Sequence, residues 1–200
     1  FNPNVTINFY SPLTNLQKRL EHQQHSEFFP INLDYMIAKK NFIHIEPEKQ
    51  NSILLANSND NFIVKNIELY HPGKSYAYRI EHNEKSIVYA TDGEYFQIPP
   101  SFLKRYIKFF NNADLIIFDT QYNSREEREK IDWGHSSTNF AVDISVRSNV
   151  KTLALFHYAP EKDDQEICGM LKHARNYLKA KYPESKLKII LSKEQEEIKI

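Results

Sequence analysis

The 200-residue sequence predicts an α+β fold, a mixed sheet with helices on a face, in a single domain spanning 1–200. Three observations predict it. The first half carries alternating, β-rich runs spaced like hairpins. The second half alternates short continuous apolar runs with amphipathic stretches. Nothing separates the halves: there is no internal repeat, no low-complexity segment and no Gly/Ser linker.

The elements follow in order. "VTINFY" (5–10) alternates and predicts a strand. "SPLTNLQKRLEHQQ" predicts a polar helix, with Leu16 and Leu20 one turn apart. "NFIHIEPE" and "NFIVKNIELYHP" are alternating or β-rich, and "SYAYRIEHNEKSIVYATD" predicts a hairpin turning at "EHNEK". "PSFLKRYIKFFNNA" is an amphipathic helix opened by Pro100 and Ser101. "DLIIFDTQY" and "KTLALFHYAP" are continuous apolar runs, the mark of strands buried on both faces. Between them, "SREEREK" is a charged, solvated stretch with room for one helical turn, and "SSTNFAVDISVRSNV" is a helix with Ser and Thr at its start. "DDQEICGMLKHARNYLKAKYP" is the longest helix, and "KLKIILS" the last strand before a charged tail.

Composition excludes some classes. Lys plus Arg equals Asp plus Glu at 26 each, so no global positive field steers nucleic acid. No apolar stretch approaches the roughly 20 residues of a membrane span, and no membrane partner is expected. One cysteine, Cys168, cannot close an intramolecular disulfide, which fits a reducing, cytoplasmic setting. Its helical context predicts a small buried hydrophobe.

Polar chemistry gathers where apolar strands stop. His71 follows "NIELY", Asp92 follows "SIVYAT", Asp119 follows "DLIIF" and His157 follows "KTLALF". One such residue alone is an ordinary turn residue or helix cap. Two acids and two histidines at equivalent strand ends predict a shared site, because strand ends on one side of a sheet lie close together. Imidazole and carboxylate are the donors that zinc and similar ions take. His135, in "WGHSST", precedes a helix, where the dipole disfavours imidazolium. His22, His25, His44, His82 and His173 lie in polar, helical or hairpin contexts and read as structural.

"YHPGKSYAYRIE", "YATDGEY", "ADLIIFDTQYNSREE", "WGHSSTNFAVDIS" and "TLALFHYAPEKDDQE", in this order, resemble the metallo-β-lactamase-fold hydrolases. The likeness is to the branch of ribonuclease Z and the cyclic-nucleotide and phosphonate-pathway phosphodiesterases, and runs from about His71 to Asp164. It implies an αββα sandwich with two divalent metal ions, zinc, or else manganese or iron. By the same resemblance His71 is a ligand of the first ion, Asp92 the carboxylate bridging both, and His157 a ligand of the second. His135 resembles the helper histidine near the leaving-group oxygen, catalytic together with Asp92. Asp119 is left with two readings, orienting a ligand histidine or capping the turn before "TQYNS".

The family's His-x-His-x-Asp-His signature is not present in the sequence. The chain therefore resembles the C-terminal portion of the fold, with a missing N-terminal half supplied elsewhere or replaced by self-association. Three metal ligands are too few for two catalytic sites, so weak or no metal binding is expected of the chain by itself. The expected function is a metal-dependent phosphodiesterase, acting on a small cyclic phosphodiester or nucleotide in preference to RNA. The alternative is a catalytically incomplete half-domain used for binding or regulation.

Overall fold

A computed structural model of the chain describes residues 2–54 and 60–200. The chain divides into two compact units, residues 1–49 and 50–200.

In the first unit, β1 (Thr6–Ser11) pairs in parallel with β2 (Lys39–His44), Phe9 opposite Phe42. Those two rings stack with centroids 5.0 Å apart. A parallel pair needs a long crossover. Here the crossover carries α1 (Leu16–Gln23) and a 3₁₀ turn, Leu33–Tyr35. No residue of α1 is buried, as its polar sequence predicts.

The second unit is built on a seven-stranded sheet in sequential order. β3 (Gln50–Leu54), β4 (Asn61–Leu69), β5 (Ser75–His82) and β6 (Lys85–Ala90) are antiparallel neighbours. The β5–β6 turn has Asn83 and Glu84 at φ 46° and 61°, the twist-matched two-residue hairpin. From β6 the sheet turns parallel, through β7 (Leu115–Asp119), β8 (Thr152–Phe156) and β9 (Lys188–Leu191). Each parallel step is carried by helix: α2 (Pro100–Phe110), then α3 (Ser124–Glu129) with α4 (Thr138–Arg147), then α5 (Asp164–Lys181). The fold is α+β, as the sequence predicts.

The core lies where helices cover the parallel strands. Ile116, Phe118, Leu153 and Leu155 are fully buried. Each such side chain contributes about 1.5–3 kcal/mol relative to exposure. Tyr95 joins them, its ring 4.9 Å from Phe140 and 5.2 Å from both Phe118 and Tyr106.

Two expectations are corrected and one strand is added. Cys168 is exposed, not buried. The inner face of α5 runs through Ile167, Leu171, Ala174 and Leu178, and Cys168 lies one residue, about 100°, off it. "SREEREK" is not wholly solvated: Glu127 is 8% exposed, because α3 aims it at the start of α4. The strand β3 is an addition, its "QNSIL" too short and polar to announce itself.

Just before β7, buried Asp114 accepts from Ser86 N–H (2.9 Å) and from the Lys151 ammonium (2.8 Å). Burial pushes its carboxyl up, but Lys151, Ser86 and Lys85 outweigh that and hold it below the ordinary aspartate range. A depressed carboxyl contributes stability above its unfolded value of about 3.9, lost as pH falls through the folded value. Asp114→Asn is therefore expected to cost about 1–3 kcal/mol at pH 7. Urea denaturation of both proteins across pH should show the gap closing below about pH 4; a gap unchanged at low pH would contradict this.

Candidate metal centre

The direction of the strands makes the site. β4 and β6 both run against β5, and β7 and β8 run with β6. All four therefore end at one edge of the sheet, where ligands of open sheets with parallel strands collect. His71 lies two residues beyond β4 and Asp92 two beyond β6, Asp119 closes β7, and His157 follows β8. Asp92 and His157 leave their strands at φ 56° and 58°. That left-handed conformation is uncommon for residues with a side chain, Asp and His being among those that adopt it more readily.

Two groups of donors result. His71, Asp92 and His135 each offer one atom within 4.8 Å of the others, and so do Asp119, His135 and His157. Asp92 Oδ1 is 3.6 Å from His157 Nε2. The His135 ring stacks on His157 (centroids 4.9 Å, 22° apart) and meets His71 edge-on (5.8 Å, 74°). So the structure brings Asp92 together with His71 on one side and His157 on the other. His135, expected apart from the metal-ligand strand ends, stands in both groups.

Two donors on one ion at about 2.0–2.2 Å are at most about 4.4 Å apart. Spacings up to 4.8 Å thus need only small adjustments, and the donor set of imidazoles and a carboxylate suits zinc. His71 Nδ1 accepts from Gly73 N–H at 3.1 Å, a bond that a cation taken at that nitrogen would replace.

Asp119 is better placed to orient than to bind. It is wholly buried, and both its oxygens are engaged. Oδ2 accepts from Asp92 N–H (3.0 Å) and faces His135 Nδ1 at 2.8 Å. Oδ1 accepts from Gln121 N–H (3.2 Å) and Ser136 N–H (3.4 Å). Asp119 bonds the turn after β7 through Gln121 N–H, and the histidine it faces is His135 rather than one of the histidines expected as metal ligands. With Nδ1–H held by Asp119, His135 keeps Nε2 for chemistry. Burial pulls the His135 ring towards neutrality, but the Asp119 bond and the charges of Asp119, Asp92 and Glu94 outweigh it and raise its pKa above the ordinary histidine value.

The turn that presents His135 is held by acids that sequence reasoning missed. Asp132 N–H and Gly134 N–H donate to the two oxygens of buried Glu94, at 3.1 and 3.0 Å. Ser137 N–H donates to Glu127 (3.1 Å), whose carboxyl is pushed up by burial and the nearby Glu94 charge against the pull of Ser137. Gly134 sits at φ +87°, and a Cβ on it would lie 2.2 Å from His71 Cδ2. The one signal in the sequence is that Glu94 stands two residues after Asp92, in "ATDGEY".

Comparison with known proteins fits this geometry. The family described as "Beta-lactamase superfamily domain" matches residues 43–158. Ribonuclease Z of Picrophilus torridus is 30% identical over 171 residues, covering 83% of this chain and 52% of that protein. The chain thus spans about half the length of the curated relatives it matches first. Among solved structures, the metallo-β-lactamase fold protein YhfI from Bacillus subtilis superposes with a TM-score of 0.63 at 19% identity, over 94% of this chain and 63% of that one. The short form of human tRNase Z gives a TM-score of 0.55 at 18% identity, over 78% and 61%. At those identities the structural likenesses speak for the fold. With the family match covering more than half of its residues, the chain belongs to the β-lactamase superfamily, and it has a metallo-β-lactamase fold.

Proposed function

We propose that the chain carries part of the active site of a metal-dependent phosphodiester hydrolase. The observation that carries this reading is the pairing of His135 with buried Asp119 beside the Asp92, His71 and His157 donors. His71, Asp92 and His157 would hold two divalent ions, which would supply Lewis acidity there, with further ligands from outside these residues. Residues 1–49 and 50–200 would be parts of one domain, which the reach of the YhfI likeness over 94% of the chain supports. The rest of the site would come from a further segment, a partner chain or self-association. The lone Cys168 supports a cytoplasmic setting.

Divalent ions in such a site supply Lewis acidity towards a phosphate and make water more acidic. The chain's own residues do the rest. Asp119 holds the Nδ1 proton of His135 and stabilises its cationic form. His135 Nε2 gives a proton to the departing oxygen, a step worth typically ~10²–10⁴ in rate. The turn from Asp132 to Ser137 keeps Nε2 in place while that proton moves.

The substrate we favour is a small cyclic phosphodiester or a nucleotide, because the chain's net charge of zero gives no long-range pull on RNA. One observation favours RNA instead: the curated relatives are named ribonuclease Z. Turnover of a cyclic nucleotide against a structured RNA, by the protein with its complete ligand set, separates the two. Faster RNA cleavage per enzyme would overturn the preference stated here.

Two outcomes test the wider reading. In the complete protein, His135→Ala should lower hydrolysis of an unactivated phosphodiester by ~10²–10⁴ while sparing metal content. A nitrophenyl ester, whose leaving group needs no proton, should lose far less. Equal losses on both esters would remove the proton-donor role. Calorimetric titration of the 200-residue chain with zinc or manganese should show weak binding, weakened further by Asp92→Ala. Tight uptake of two ions by the chain alone would contradict the proposed need for further ligands.

A further inference from the structure

We propose that Glu94 is a positioning residue of this site: its carboxylate locks the turn at 132–134 so that His71 and His135 hold a fixed mutual geometry. The consequence for turnover rests on the function proposed above; the geometry does not.

Glu94 is 2% exposed and is neither a candidate ligand nor part of the proton path. A buried carboxylate is costly unless its oxygens are matched. Here each oxygen takes a different backbone N–H, of Asp132 and of Gly134. Glu94 also donates its own N–H to Tyr70 C=O at 2.9 Å, one residue before His71. The Tyr70 hydroxyl closes the circuit by donating to Asp132 Oδ1 at 2.9 Å. One side chain thus joins the backbone entering His71 to the backbone entering His135.

The tolerance is small. The His71 ring lies against Gly134 so closely that a Cβ there would stand 2.2 Å from it. His135 is the next residue, its ring edge-on to His71 at 5.8 Å. If the turn lifts, both rings move together with respect to Asp92. A misplacement of about 1 Å costs a reaction of this kind about 10²-fold. A glutamine in place of Glu94 keeps the volume but offers one oxygen to two N–H groups. The carboxylate's second oxygen is what the turn requires.

The test uses histidine-labelled and amide-labelled protein. Glu94→Gln is expected to weaken the magnetisation transfer between the His71 and His135 rings at least twofold. It should also speed amide exchange of Asp132 and Gly134 by about tenfold or more, while Ser137, held by Glu127, keeps its rate. Turnover of an unactivated phosphodiester should fall about 10–100-fold with KM within threefold. Glu94→Asp keeps both oxygens on a shorter arm and should produce a change of the same sign in ring contact and in the exchange of Asp132 and Gly134, which keeps the test open if Glu94→Gln fails to fold. Unchanged ring contact and exchange in a folded Glu94→Gln protein would overturn the proposal, as would a rise in KM with kcat untouched. The ring contact and exchange are read without substrate. A wild-type protein inactive on every phosphodiester would therefore sink the proposed function and leave the Glu94 lock to be judged on the spectra.

Discussion

The site hangs on one buried carboxylate. Asp119 ends β7, between the ends of β6 and β8, with no exposure to water. Its two oxygens gather Asp92 N–H, Gln121 N–H, Ser136 N–H and the His135 ring. Hydrogen bonds to a charged group contribute about 1.5–3 kcal/mol each, so a fully matched carboxylate is a strong local anchor. It also decides chemistry. By fixing Nδ1 of His135 it assigns the free nitrogen, and by holding the Asp92 backbone it fixes where that carboxylate starts.

Topology makes this possible. A sheet of hairpins alone would send successive strand ends to opposite edges. The change to parallel pairing at β6 puts the ends of β6, β7 and β8 side by side, and β4 adds its own end to the same edge. The crossover helices required by parallel pairing then bring their N-terminal turns to that edge. The turn before α4 is where His135 sits, with Ser137 capping the helix through Phe140 N–H at 3.2 Å.

Much of this was legible in the sequence, for a physical reason. "DLIIF" and "TLALF" are continuous because helices and sheet bury both faces, and such runs mark their own ends. Hence His71, Asp92, Asp119 and His157 could be named as strand-end residues. Glu94 and Glu127 were not legible as parts of the site. They work by accepting backbone N–H groups from a distant turn, and that leaves no period in their own segment. "SREEREK" reads as solvent-facing by charge alone, yet one of its acids points inwards. Cys168 failed differently: residue type suggested burial, and the helix phase of α5 decided against it. His135 was found from "WGHSST", but its place in both donor groups needed three-dimensional closure of the turn.

The central claim is that the sheet-edge donors hold divalent metal, with Asp92 in the middle. The most direct measurement is anomalous diffraction at the zinc edge from crystals soaked in excess zinc. The account predicts a peak about 2.0–2.2 Å from an Asp92 carboxylate oxygen and from a nitrogen of His71 or His157. Zinc bound only elsewhere, with these side chains left as they stand, would contradict it.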